Sequence, residues 1–445
     1  MNTKTLRQKI LDLAIHGKLV AQDPDDEPAS ELLKRINPQA EQTYEEELPK
    51  GWVITPMNVL CSLVDGEKQS GIERINLDVK YLRGDRRAKK TLSSGKYVAA
   101  NSLLILVDGE NSGEVFRTPI EGYQGSTLKQ LFVNANMNIE YVLQVINLHR
   151  KELRENKVGS AIPHLNKKLF KEIEVPLPPL AEQKRIVAEI ERWFALIDQI
   201  EQSKAALQAT IAQAKKKILD LAIHGKLVAQ DPDDEPASEL LKRIKAEKEE
   251  QIKEGKIKKS KKTKTTSVPF EIPSSWEWTT LGEISNYGCC ENIPVAEIGE
   301  NDWVLELEDI EKDTARIAQI RLKQDRDIKG VRHKFTNGDV LYSKLRTYLN
   351  KVLVAPHNGY CTTEIVPLHS YCNVSTYYLS HVLRSGYFLD YTQQCGYGVK
   401  MPRLSTNDAC NGSIPLPPLA EQKRIVKKIE ELFGVLDTIQ QALGE

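Results

Sequence analysis

The sequence predicts an α+β protein: two mixed α/β domains separated by a long antiparallel coiled coil, in a circular pseudo-two-fold organisation. Two observations lead to this prediction. Two different segments each occur twice within the 445 residues, in the order A, variable, B, A, variable, B. One long stretch without glycine or proline has apolar residues at alternating intervals of four and three, which is the pattern of a coiled-coil helix.

The repeats set the expected domain boundaries. The A repeat, residues 9–36, returns without a change at 217–244, and the B repeat, residues 176–187, returns at 415–426. The stretch from the first B repeat to the second A repeat is about as long as the C-terminal stretch after the second B repeat plus the N-terminal stretch before the first A repeat. We therefore expect the two terminal segments together to form a structure like that of the central segment. The expected parts are an N-terminal repeat helix and turn (1–36), a first variable domain (37–175), a central coiled-coil helix and repeat (176–245), a second variable domain (246–414, beginning with a charged linker or helix tip at 246–266) and a C-terminal coiled-coil helix (415–445).

The central helix is expected from Ala181 to His224, because Pro178 and Pro179 precede it and Gly225 follows it. Its apolar seam should bury itself against the two terminal helices, placed end to end. A long helix within a single core is the alternative, which the repeats disfavour. The expected seam residues are Ile186, Ile190, Trp193, Ile197, Ile200, Ile425, Ile429, Leu432 and Leu436.

The two variable regions share a framework but little else. They open alike at 47–60 and 271–284 and close alike at 161–180 and 400–419. Between these ends, short apolar runs separated by Gly, Asn and Asp predict strands, at 102–107, 339–343 and 350–355. Identical repeats suit two copies of one partner, whereas divergent domains suit two different targets.

Composition and motifs exclude several classes of protein. No apolar run approaches the ~18 residues of a membrane span, and charged residues interrupt the N-terminal segment, so we expect a cytoplasmic protein without membrane contact. The cysteines form no C-x-x-C motif, and no glycine-rich cofactor loop or Walker loop is present. We therefore expect no catalytic residues, no metal and no cofactor in this chain. A fused methyltransferase or nuclease and a scaffold that binds only protein remain as alternatives.

Local basic clusters favour nucleic-acid binding although the net charge is +0. Lys and Arg neutralise phosphates and donate to guanine, and polar or aromatic neighbours add base contacts. A solvated surface is the alternative for each cluster, and the segment 123–129 is equally an ordinary turn. The candidate DNA-binding residues are Arg83, Arg86, Arg87, Lys89, Lys90, Gln124, Ser126, Thr127, Lys129, Arg332, Lys344, Arg346, Tyr348, Lys351, Tyr397, Lys400 and Arg403.

The sequence resembles the specificity subunits of type I restriction-modification enzymes over nearly its whole length. The resemblance rests on Trp52 and Trp276 in the two openings, the doubled PLPPLAEQKRIV ahead of a long helix, the doubled KILDLAIHGKLVAQDP and the alternating order. The segments 162–166 and 401–405 match the closing motif of the family's recognition domains. The second segment departs from the first in having Ser405 where the first has Asn166.

The resemblance implies a non-catalytic subunit with two target recognition domains, each reading one half of a bipartite site in double-stranded DNA. The coiled coil would set the spacing and hold two modification subunits, which bind S-adenosylmethionine and methylate adenine. Restriction subunits with motor and nuclease activity, which use ATP and Mg, would join for cleavage. We expect contact with the modification subunits at Lys18, Leu19, Lys226 and Leu227 in the A repeats.

Overall fold

The computed structural model describes residues 2–39, 48–85, 89–158, 163–255, 268–398 and 400–443. The chain divides into two compact units, Met1–Lys204 and Ala205–Glu445. Each unit combines helices with sheets, which confirms the predicted α+β class. Across these ranges, no helix is both long and apolar enough to cross a membrane.

The first unit consists of short helices and strands that precede one long helix. Its helices are α1 (Thr3–Ile15), α2 (Ala29–Ile36), α3 (Met57–Leu60), α4 (Val79–Leu82), α5 (Ile139–Leu148), α6 (Arg150–Glu155), α7 (Lys167–Glu172) and the first part of α8 (Leu180–Ile223). Its strands are β1 (Val53–Pro56), β2 (Cys61–Val64), β3 (Lys68–Leu77), β4 (Thr91–Val98), β5 (Leu103–Leu106), β6 (Val115–Arg117), β7 (Gly122–Gln124), β8 (Leu128–Val133) and β9 (Glu174–Leu177).

Three sets of strands organise the first unit. Strand β1 pairs antiparallel with β9, so that Ile54 lies opposite Pro176 and the opening of the variable region meets its closing. Strands β2, β8, β5 and β6 form an antiparallel sheet in that order. The hairpin of β3 and β4 pairs with β7, which runs parallel to β3 and antiparallel to β4.

The second unit repeats this plan with different strands. Its helices are the rest of α8, α9 (Ala237–Lys253), α10 (Leu281–Ile284), α11 (Thr376–Arg384), α12 (Gly386–Cys395), α13 (Thr406–Asn411) and α14 (Leu419–Ala442). Its strands are β10 (Glu277–Thr280), β11 (Asn292–Pro294), β12 (Val304–Leu305), β13 (Val331–Phe335), β14 (Val340–Ser343), β15 (Val352–Val354), β16 (Gly359–Cys361), β17 (Ile365–Leu368) and β18 (Ser413–Leu416).

The strand pairing of the second unit again joins the two ends of a variable region. Strand β10 pairs antiparallel with β18, with Trp278 opposite Pro415. A mixed sheet has the order β11, β13, β16, β12, in which β12 runs parallel to β16. Strands β15, β14 and β17 form an antiparallel sheet. The three apolar runs that predicted strands correspond to β5, β14 and β15, so that prediction is confirmed.

Helix α8 has 44 residues and begins and ends within one residue of its predicted bounds. At ~1.5 Å per residue it is about 65 Å long. In the first unit α1 runs antiparallel to it: Gly17, after the end of α1, packs toward Trp52, which bonds to Glu182 near the start of α8. Near the start of α1, Arg7 bonds to Asp198 at 2.5 Å.

Only part of the expected seam is buried against α1. Ile186, Ile190 and Ile197 are buried, whereas Trp193 and Ile200 are 37% and 45% exposed. The reason is that the guanidinium of Arg7 stacks over the ring of Phe194, which is half-buried. The contact stripe therefore passes through positions 190, 194 and 197, and the two exposed residues lie at its flank.

In the second unit α14 packs against the last part of α8. Ile425 and Ile429 are buried, as expected for the seam, and Leu432 and Leu436 are half-buried. Lys215 of α8 forms an ion pair with Asp437 and lies over the ring of Phe433 in a cation–π contact. These contacts match a coiled-coil helix pair at each end of α8.

Each A repeat meets a B repeat inside its own unit through a buried tryptophan. In the first unit the indole N–H of Trp52 donates to the Glu182 carboxylate at 2.9 Å, and both residues are 2% exposed. Beside them Arg185 of the B repeat makes a two-pronged ion pair with Asp26 of the A repeat. Burial raises the pKa of the Glu182 carboxyl, and the hydrogen bond from Trp52 opposes that shift.

The second unit builds the same arrangement from Trp276, Glu421, Arg424 and Asp234. The indole N–H of Trp276 donates to Glu421 at 2.9 Å, and Arg424 pairs with Asp234. We call these two sets of residues the Trp–Glu clusters. They join each variable domain to its flanking repeats, because the tryptophan belongs to the opening of the variable region.

The B repeats also hold the helix that follows the sheets. The side-chain oxygen of Gln183 accepts from the backbone N–H of Asn138, the N-cap of α5, at 3.1 Å. Gln422 makes the same bond to Ser375, the N-cap of α11, at 2.8 Å. Both glutamines are fully buried, so each domain is fixed to its long helix by identical polar contacts.

We expect Trp52→Phe and Trp276→Phe each to destabilise their unit by about 1–3 kcal/mol, because a buried carboxylate oxygen loses the indole N–H that donates to it. Trp278→Phe is the matched control: its indole nitrogen has no hydrogen-bond partner among the described residues, so only packing is lost. Thermal unfolding followed by circular dichroism measures all three. Equal shifts for the control and the two test variants would contradict the role given to the hydrogen bonds.

Candidate nucleic-acid interface

In the second unit two loops cross where β14 ends. The backbone N–H of Arg346 donates to the carbonyl of Pro402 at 2.7 Å, and that of Leu404 donates to Lys344 at 2.9 Å. The crossing therefore joins the loop after β14 to the closing motif of the variable region. Arg346 holds a left-handed backbone conformation with φ 50°, which turns the loop at this point.

The crossing of the second unit gathers six of the predicted DNA-binding residues. Tyr397 and Arg403 exchange both backbone hydrogen bonds, at 3.0 and 2.9 Å, so their side chains are neighbours. Tyrosine and cationic side chains on one exposed surface can contact bases and phosphates together. The gathered residues are Lys344 and Arg346, which are half-buried, and Tyr348, Tyr397, Lys400 and Arg403, which are exposed.

The first unit contains the same crossing, built by the same pattern of backbone bonds. The N–H of Gly109 donates to Pro163 at 2.8 Å, and that of Leu165 donates to Val107 at 2.7 Å. Val158 and His164 exchange both backbone bonds, as Tyr397 and Arg403 do in the second unit. His164 thus occupies the position of Arg403.

A carboxylate holds the side chain at this position in both units. His164 Nδ1 lies 2.6 Å from Asp108 Oδ1. Arg403 bonds through Nε and Nη2 to the two oxygens of Glu364, at 3.2 and 2.8 Å. The candidates taken from basic clusters did not include His164, Asp108 or Glu364. The signal was in the closing motifs IPHLN and MPRLS, whose third residues are His164 and Arg403.

The structure describes only part of the predicted basic cluster of the first unit. Lys89 and Lys90 are exposed beside the start of β4. Arg83 forms an ion pair with Glu114, which reduces the charge available for phosphate. Arg86 and Arg87 lie outside the described residues.

The turn between β7 and β8 and the strand residues beside it contain the remaining candidates of the first unit. Ser126 is exposed and Thr127 is half-buried. The other two support the fold: Gln124 accepts from the backbone of Gly66 at 3.3 Å, and Lys129 pairs with Asp65 at 2.5 Å. Hydrogen bonds from Lys129 and Lys96 hold the pKa of the Asp65 carboxyl well below its usual value.

Two candidates of the second unit also make internal contacts. Arg332 has a side chain that is 12% exposed and pairs with Glu306 at 2.9 Å. Lys351 donates to the carbonyl of Leu307 at 2.6 Å, and burial lowers the pKa of its ammonium group. Both cations are oriented inward, so the structure assigns them to the framework of the domain and not to its exposed surface.

The expected partner-binding residues lie in the turns that follow α1 and α8. Lys18 and Lys226 are exposed, and Leu19 and Leu227 are half-buried. Next to Leu19, the loop from Val20 to Pro24 and the exposed side of α8 line an open groove of about 600 Å³. No group of three or more His, Cys, Asp or Glu side chains in the part of the chain that is described could hold a metal ion.

Comparisons with known proteins agree with this architecture. Residues 73–209 match the type I restriction modification DNA specificity domain. The EcoEI specificity subunit of Escherichia coli is 28% identical, over 99% of this chain and 90% of that protein. The MjaVIII specificity subunit of Methanocaldococcus jannaschii is 22% identical, over 88% of each chain. A chain solved in a study of complex assembly and conformational transition of the type I R-M system has a TM-score of 0.60 at 18% identity, over 90% of this chain and 94% of that one.

The same loop crossing closes both sheet-bearing units, and residues 73–209 of the first unit and the start of α8 match a DNA specificity domain. The chain is similar to type I restriction enzyme specificity subunits over nearly its whole length, which agrees with the resemblance seen in the sequence motifs. These relatives are named as the specificity subunits of their restriction enzymes.

Proposed function

We propose that this chain reads a bipartite DNA site, one half-site with each unit, and that α8 sets the distance between the half-sites. One observation carries the proposal: the same loop crossing occurs in both units but presents different exposed side chains, His164 in one and Arg403 in the other. A shared framework with changed contact residues is what recognition of two unlike half-sites requires.

The repeats support a second part of the proposal, the docking of two modification subunits. Buried repeat residues pack inside the units, which accounts for their identity in both copies. The exposed residues of the A repeat are identical as well, and internal packing does not require that. A surface presented twice by one chain suits two copies of one partner. S-adenosylmethionine would be bound by those modification subunits, and ATP and Mg by the restriction subunits that join them.

Methylation mapping tests the proposed function. Genomic DNA from cells that express this chain with its modification subunit should carry methyladenine at one bipartite motif with a fixed gap. Cells that express the modification subunit alone are the control and should lack that motif. Methylation at a continuous motif, or none that depends on this chain, would contradict the proposal.

Charge reversal tests the docking surface. We expect the double change Lys18→Glu and Lys226→Glu to raise the dissociation constant for the modification subunit by about tenfold or more, because like charges meet at the interface. The control variant, Lys151→Glu with Lys312→Glu, changes the net charge equally at exposed positions outside the repeats. Size-exclusion chromatography with light scattering reports the assembly. Equal assembly of both variants would remove these lysines from the interface.

A further inference from the structure

We propose that the residue at each crossing reads one base: Arg403, held by Glu364, donates to a guanine in one half-site, and His164, held by Asp108, occupies the same role in the other. This inference rests on the proposed function and names the contacts through which it acts.

The geometry of Arg403 favours a base edge over a phosphate. Glu364 takes the Nε and Nη2 edge of the guanidinium, at 3.2 and 2.8 Å. The Nη1 group and the second hydrogen of Nη2 have no acceptor among the described residues, and the side chain is 44% exposed. This remaining edge has two parallel donors, which match O6 and N7 of guanine in the major groove.

The carboxylate also argues against a simple phosphate contact. A guanidinium paired with two carboxylate oxygens carries little net charge into the surrounding field, so its attraction for phosphate is weakened. The same pairing restricts the side chain to one orientation, and a fixed orientation is what selects between bases. Glu364 is therefore a positioning residue that acts through Arg403.

The first unit presents the matching position with a different hydrogen-bonding group. Asp108 accepts from Nδ1 of His164, so the neutral ring has its free lone pair on Nε2. The His164 side chain is 50% exposed, and no described residue bonds to Nε2. An acceptor there suits a base with an amino group in the major groove, which is adenine N6 or cytosine N4.

The test uses the assembled complex of this chain with its modification subunit. Fluorescence anisotropy measures binding to short duplexes that carry the mapped bipartite motif, with each base pair of each half-site replaced in turn. We expect Arg403→Ala to weaken binding to the intact motif about 5- to 150-fold and to abolish the guanine preference at one position of one half-site. His164→Ala should abolish the preference at one position of the other half-site only.

Further variants separate orientation from charge. Arg403→Lys keeps the charge but lacks the paired donors, so it should lose the guanine preference as Arg403→Ala does. Glu364→Gln should reduce the difference in affinity between guanine and the other bases at that position without abolishing it. The matched control is Arg117→Ala, because Arg117 lies outside the repeats, forms an ion pair with Glu140 and has the same side-chain exposure as Arg403, 44%. The control should leave every base preference unchanged.

The salt dependence of binding shows whether Arg403 contacts a base or a phosphate. A base contact leaves the slope of log affinity against log salt unchanged, whereas a lost phosphate contact lowers the slope by about one and weakens all duplexes alike. A slope lowered by about one, with all duplexes weakened alike, would overturn the inference if Arg403→Ala gave it. The inference would also fail if Arg403→Ala and Arg403→Lys both kept the wild-type affinity and base preference. A wild-type complex that binds all duplexes equally would instead refute the proposed function.

Discussion

Inserting four residues between Lys204 and Ala205 is expected to lengthen the gap between the two methylated half-sites by about two base pairs. Four helical residues add about 6 Å at ~1.5 Å each, and one base pair of B-DNA occupies ~3.4 Å. The site is favourable because every side chain from Ala205 to Thr210 is exposed, so the insertion disturbs no buried contact. The insertion point is where the boundary between the two units falls within α8, the helix proposed to set the spacing.

The measurement is methylation mapping of the variant beside the wild-type chain. The same four residues inserted after Gly255, at the exposed end of α9, are the control and should leave the gap unchanged. The half-site sequences themselves should stay the same in both variants. An unchanged gap in the α8 variant, with full methylation, would show that α8 does not set the spacing.

Replacing the first variable domain with that of a related type I specificity subunit is expected to change one half-site completely and leave the other as it was. The strand pairing locates the joints: exchanging residues 57–173 keeps β1 and β9 paired and leaves the Trp–Glu cluster of the first unit intact. A cut within β9 would split that pair. The rest of the chain keeps its own contacts, because the second unit has a separate core.

Mapping the methylated motif of the chimera gives the result. The reciprocal chimera, with residues 281–412 exchanged, keeps the pairing of β10 with β18 and should change the other half-site only. Thermal unfolding of both chimeras verifies that they fold. A change in both half-sites from a single exchange would mean that the domains do not recognise DNA independently.

Local chemistry was enough to predict the long helices and three of the strands. The proline pair before α8 and Gly225 after it set the helix bounds to within one residue. Gly225 has φ 66°, the left-handed conformation that ends many helices, and a Cβ there would lie 2.3 Å from Pro273. Such signals act over a few residues, which is why the sequence is informative about them.

Contacts between distant residues explain what the sequence did not predict. A seam pattern shows which residues are apolar but not how a partner helix is rotated, so Trp193 and Ile200 were placed in the contact although they are exposed. Basic clusters were judged from sequence neighbours, whereas Lys129 is paired by a carboxylate 64 positions away, Asp65. His164 was missed because its partner, Asp108, is 56 positions away.

The Trp–Glu clusters allow the gene to recombine within its repeats without disturbing the buried contacts. Each cluster takes its members from an A repeat, a B repeat and the opening of a variable region, and the repeat members are the same in both halves of the chain. A crossover within either repeat during gene exchange therefore leaves every buried partner chemically unchanged. New pairs of variable domains can be assembled by recombination without redesigning the junctions that hold them.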